Sequence, residues 1–173
     1  MPSRVPLRLA ACAAAVAGLV VGLPLPATAS DTMTVCMGSP TPSGWVEVKY
    51  STNYRCGRPG STHNAKTIRK VTSVSPGGTV AACTSSPRPA GWAVTRYRYV
   101  SSCEISRFGS SNNNTQQMLV NLNGLPSGSI RAVCGAWSAP QGWAIVSRHR
   151  DYGCVYSRFG SPTSDNAATI RKF

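Results

Sequence analysis

Cys36-Met37-Gly38-Ser39-Pro40-Thr41-Pro42-Ser43-Gly44-Trp45-Val46-Glu47-Val48-Lys49-Tyr50, running on to Cys56, decides the fold, because the chain writes its framework three times. Cys36 to Cys56, Cys83 to Cys103 and Cys134 to Cys154 are each separated by 20 positions. A tryptophan stands at the same distance after each first cysteine (Trp45, Trp92, Trp143), preceded by Gly44, Gly91 or Gly142 and by Pro42, Pro89 or Pro140. Beyond each second cysteine comes Arg-x-Gly-Ser, at Arg58-Pro59-Gly60-Ser61, Arg107-Phe108-Gly109-Ser110 and Arg158-Phe159-Gly160-Ser161. Each copy closes on an Asn-led segment starting at Asn64, Asn114 or Asn166. An ordered set of this kind repeated three times is the signature of a repeat architecture.

Within a copy the signals are those of strands. Val46, Val48 and Tyr50 alternate with Glu47 and Lys49, a period of two that puts the two sets on opposite faces. Pro and Gly punctuate the chain too often for a helix, and turn residues such as Pro76-Gly77-Gly78 and Gly124-Leu125-Pro126 join the copies. The expected fold is all-β, with three disulfide-stapled repeats over residues 30–71, 72–120 and 121–173. They pack either with pseudo-threefold, trefoil-like symmetry or as a compact tandem array.

Units this small rarely hold a core unaided. A disulfide closing a loop of about 20 residues adds about 3 kcal/mol by the chain-entropy argument. Constant spacing favours pairing inside each copy. The alternative closes a ring through Cys56–Cys83, Cys103–Cys134 and Cys36–Cys154.

Residues 1–29 read as a secretory signal peptide: Arg4 and Arg8, an apolar stretch from Leu9 to Leu23, and Ala27-Thr28-Ala29 as cleavage site. Leu9-Ala10-Ala11-Cys12 has the residue types of a lipoprotein box, but most of the apolar core follows Cys12 rather than preceding it. No later segment reaches the roughly 18 apolar residues of a membrane span, so stable membrane insertion is not expected. A secreted, extracellular protein with six remaining cysteines reads as a disulfide framework. The chain carries 18 Lys and Arg against 5 Asp and Glu; removing Arg4 and Arg8 with the leader leaves 16 against 5, a net charge of +11. That balance predicts attraction to polyanions.

The combination of Cys, Pro-x-Gly-Trp, Cys and Asn-x-x-Thr-Ile resembles a small repeat of exported actinobacterial proteins. Three such copies are also loosely similar to β-trefoil lectins, whose repeats carry Gln-x-Trp. Here that motif is met at Gln141-Gly142-Trp143 and not at Ser43-Gly44-Trp45 or Ala90-Gly91-Trp92. The trefoil resemblance implies sugar binding by analogy alone.

Candidate binding residues come from the strands after the tryptophans. Arg96-Tyr97-Arg98-Tyr99 and Arg148-His149-Arg150, with Tyr152, interleave cations with aromatics, as an anionic-polymer site does. Arg107 and Arg158 are further candidates, as anion-gripping groups beside turn amides. Trp45, Trp92 and Trp143 are expected to be core plugs beside the disulfides.

Catalysis has little to work with. Asp31, Glu47, Glu104, Asp151 and Asp165 share no repeat position, and His63 and His149 are also non-equivalent. No metal-ligand spacing and no cofactor motif stands out. The expectation is a non-catalytic binding protein that attaches to cell-wall or extracellular glycans, neutral or polyanionic, through repeated sites. One alternative is an inhibitor or toxin-complex component meeting a protein partner through loops Ser106 to Thr115 and Ser157 to Asp165. Another is a cationic antimicrobial or nucleic-acid binder.

Overall fold

The computed structural model describes residues 31–109 and 111–173; the leader read at residues 1–29, with Cys12, lies outside them. The first repeat holds strands β1 (Thr32–Cys36), β2 (Trp45–Ser51) and β3 (Ala65–Lys70). The second holds β4 (Thr79–Cys83), β5 (Trp92–Arg98) and β6 (Gln116–Asn121), and the third β7 (Ile130–Cys134), β8 (Trp143–His149) and β9 (Ala167–Lys172). Each repeat is a three-stranded antiparallel sheet whose last strand lies between the first two, in the orders β1-β3-β2, β4-β6-β5 and β7-β9-β8. The all-β, three-repeat architecture expected from the sequence is therefore present. The boundary placed between residues 120 and 121 trims β6 by its last residue, Asn121.

Each disulfide stays inside its repeat and ties the end of the first strand to a one-turn 3-10 segment. The Cα atoms are 5.3, 5.2 and 5.1 Å apart for Cys36–Cys56, Cys83–Cys103 and Cys134–Cys154. The ring-closing alternative is excluded.

Pro-x-Gly-Trp is a turn that launches the second strand. The Trp N–H donates to the proline carbonyl at 3.1, 3.2 and 3.0 Å in the three copies. The glycine occupies the third turn position with φ of 75° at Gly44, 75° at Gly91 and 81° at Gly142, a left-handed conformation that L side chains avoid. At Gly91 a Cβ would lie 2.0 Å from the Asn123 side chain, so space also forbids anything larger.

The strand that follows is bulged at the same place each time, the register slipping between Glu47 and Lys49, Val94 and Arg96, and Ile145 and Ser147. The extra residue breaks the period-two reading of β2. Glu47 faces Ile68 and Tyr50 faces Lys66 across β3, so Glu47 and Tyr50 share a face, and both are buried.

Asn64 closes its repeat by clamping Asn53: its Oδ1 accepts the Asn53 N–H at 2.9 Å and its Nδ2 donates to the Asn53 carbonyl at 3.1 Å. Asn166 repeats this on Asp151. In the middle copy the clamp is Thr115 on Val100, not Asn114.

The repeats are equivalent in element order, register and staple, and they pack in series. One apolar cluster joins the first to the second through Val46, Val71, Val80, Ala82, Trp92 and Leu119. Another joins the second to the third through Ala93, Leu122, Leu125, Val133, Trp143 and Ile170. Loop backbones add a bridge at each junction, Thr62 with Ser106 and Asn113 with Ser157. Trp92 and Trp143 are buried because each packs against the repeat before it. Trp45 was expected to be core in the same way but is half-buried, since among the described residues no other repeat packs against it as the first and second do against Trp92 and Trp143.

Candidate functional site

The two junctions are built from equivalent positions and filled differently. At the first, Glu47 and Lys66 form an ion pair at 2.7 Å with both side chains almost wholly buried. Thr41 donates to Glu47 Oε1 at 2.6 Å, and the Tyr50 hydroxyl donates to Glu47 Oε2 at 2.6 Å. Across the junction Ser86 Oγ accepts the Glu47 N–H at 2.8 Å, and Ser85 meets the Tyr50 hydroxyl. Burial works against the Glu47 charge, but the bonds from Lys66, Thr41 and Tyr50 outweigh it and hold the carboxyl below the ordinary glutamate range. Burial, reinforced by the Glu47 carboxylate, pushes the Tyr50 phenol up, so it remains a donor. On the Glu47 side this junction is filled.

At the second junction the same positions are Val94 for Glu47, Gln117 for Lys66, Arg88 for Thr41, Ala136 for Ser85 and Trp137 for Ser86; only the tyrosine is kept, as Tyr97. With the polar plug gone, a groove of about 670 Å³ opens between β5 and the turn after β7. Trp137 stands at its rim with its side chain 80% exposed. Tyr97 lines the groove and packs edge-on against Tyr156, ring centroids 5.8 Å apart at 82°. Arg88 and Asp165 supply opposite charges.

The residues read from the sequence scatter around this groove. Tyr97 lies in it. Arg96 is exposed and leans toward Gly153 of the next repeat, while Arg98 Nε donates to Gln116 Oε1. Tyr99 donates to Glu104 Oε1 at 3.1 Å and carries the Arg158 guanidinium 3.8 Å above its ring. Burial and the Glu104 carboxylate together raise the Tyr99 phenol. Arg107 reaches back to the Gly60 carbonyl at 2.8 Å. Arg58 has no counterpart role, because Arg107 and Arg158 stand two residues further from their cysteines than Arg58 does.

The third-copy arginines do not repeat those of the second. Arg148 faces Ala168, the position at which Tyr97 faces Gln117, whereas Arg96 corresponds to Ser147. Arg148 thus points the other way from Arg96 and Arg98. Arg148 Nε donates to the Ala136 carbonyl at 2.8 Å; His149 is half-buried, and Arg150 and Tyr152 are exposed.

Sequence reasoning missed Trp137, Arg88, Tyr156 and Asp165. The available signal was Trp137 itself, the one tryptophan of four that the Pro-x-Gly-Trp repeat does not explain. Among the described residues no group of three or more His, Cys, Asp or Glu is placed to hold a metal ion, and no helix is long and apolar enough to cross a membrane. Comparison with protein-family models, with curated proteins and with solved structures finds no match to this chain.

Proposed function

We propose that this chain is a secreted, non-catalytic glycan-binding protein whose site is the groove between the second and third repeats. The observation that carries the reading is Trp137, an almost fully exposed indole beside a groove that the equivalent junction fills with a polar plug. An exposed indole is a stacking surface for the apolar face of a sugar ring, and it gains nothing for the fold where it stands. Tyr97 and Tyr156 extend the aromatic wall; Arg88 and Asp165 provide hydrogen bonds to hydroxyl or carboxylate substituents. The net charge of +11 left after removal of the leader favours acidic glycans over neutral ones.

The test is titration calorimetry against acidic and neutral polysaccharides, comparing Trp137→Ala with the unaltered protein. Loss of binding without a change in melting temperature supports the reading. Undiminished binding by Trp137→Ala, or no binding to either class, refutes it and turns attention to a protein partner.

A further inference from the structure

The second and third repeats share an unbroken five-residue match, Ser106-Arg107-Phe108-Gly109-Ser110 and Ser157-Arg158-Phe159-Gly160-Ser161, although the buried positions around them have diverged. The fold accounts for most of it. Ser106 Oγ accepts the N–H groups of Phe108 and Gly109 at 3.3 and 3.0 Å, which makes the serine and glycine a turn. The arginines brace the loops onto the preceding repeat, Arg107 through the Gly60 carbonyl and Arg158 through the Tyr99 ring.

The phenylalanines are the members the fold does not use. Phe108 is 79% exposed and Phe159 76%, at the same position one repeat apart. Each lies 5.1 Å from its own arginine guanidinium. Backbone bridges align successive loops side by side, so the two exposed rings stand at equivalent positions of adjoining loops.

From this placement we propose that the two loops form a docking edge for an anionic lipid bilayer, the rings of Phe108 and Phe159 entering the headgroup boundary while the basic surface meets acidic headgroups. Aromatic rings partition into that boundary, and each nearby Lys or Arg adds attraction to anionic lipid that salt weakens. The contact is peripheral and reversible, and it does not involve the Trp137 groove.

The experiment is co-sedimentation with vesicles of phosphatidylcholine, with and without phosphatidylglycerol, at low and high salt. The unaltered protein is expected to bind only the phosphatidylglycerol vesicles, and less at high salt. Phe108→Ser and Phe159→Ser should each weaken binding by about tenfold, the ratio that burying one aromatic side chain supports. Melting temperature and binding to the soluble polyanion dextran sulfate should not change. Trp137→Ala should keep full vesicle binding, which separates this proposal from the glycan reading. No binding to phosphatidylglycerol vesicles, or undiminished binding by the double phenylalanine variant, overturns it.

Discussion

Ser86 and Trp137 occupy the same repeat position and point opposite ways: the serine is buried and accepts the Glu47 N–H at 2.8 Å, whereas the indole stands in solvent. The same positions are thereby filled at one junction and lined by a groove at the other. Exchanging the two residues tests the contrast. Trp137→Ser should change stability by no more than about 0.5 kcal/mol, as expected for a surface site. Ser86→Trp forces an indole into a filled junction and should cost at least about 1–3 kcal/mol, read from urea unfolding. An equal cost at both positions would mean that the junctions do not differ as described.

The Glu47–Lys66 pair sets an acid limit on the first junction. A carboxyl whose pKa is depressed on folding adds stability that is fully present above its unfolded value, about 4.3. That stability drains away as pH falls through the lower folded value. Melting temperature should therefore drop more steeply below about pH 4.3 in the unaltered protein than in Glu47→Gln. Lys66→Met leaves the carboxylate buried without its cation and should cost about 3–5 kcal/mol at neutral pH. The double change Glu47→Val with Lys66→Gln, the residues of the second repeat, should cost less than the two single changes summed.

The repeat frame and its staples were legible because cysteine spacing and Pro-x-Gly-Trp are local signals with fixed geometry. The bulge was not. Nothing in Val46-Glu47-Val48 distinguishes a regular strand from one that gains a residue, so Glu47 read as lying on the face opposite Tyr50 when it shares that face and is buried with it. The arginine pairing failed for a related reason: alignment by residue type matched Arg96 with Arg148, while strand register matches Arg96 with Ser147. The groove depends on what fills equivalent positions at two junctions, which becomes visible only once repeats are known to pack in series.

The three repeat tryptophans should not respond alike to truncation. Trp92 and Trp143 each plug an inter-repeat cluster, and replacement by Ala should cost about 3–5 kcal/mol. Trp45 is half-buried and should cost clearly less. Equal losses at all three sites in denaturant unfolding would show that Trp45 is covered to the same degree.

The disulfides should rank by what packs on them. Loop length is the same in all three, so the chain-entropy contribution of about 3 kcal/mol is common to them. Cys83 and Cys103 are buried and carry Tyr50 of the preceding repeat on their surface, and the Cys103 sulfur lies 3.6 Å from the bulge carbonyl of Val48. The Cys36–Cys56 link is half-buried, and among the described residues no strand of another repeat packs on it as Tyr50 does on Cys83–Cys103. Replacing Cys83 and Cys103 together by Ala should therefore cost more than replacing Cys36 and Cys56, because a junction is loosened as well as a loop. Graded reduction with mass spectrometry gives a second readout. Cys36–Cys56 should open first and Cys83–Cys103 last among these two, and the reverse order would show that reagent access is not governed by the packing of one repeat on the next.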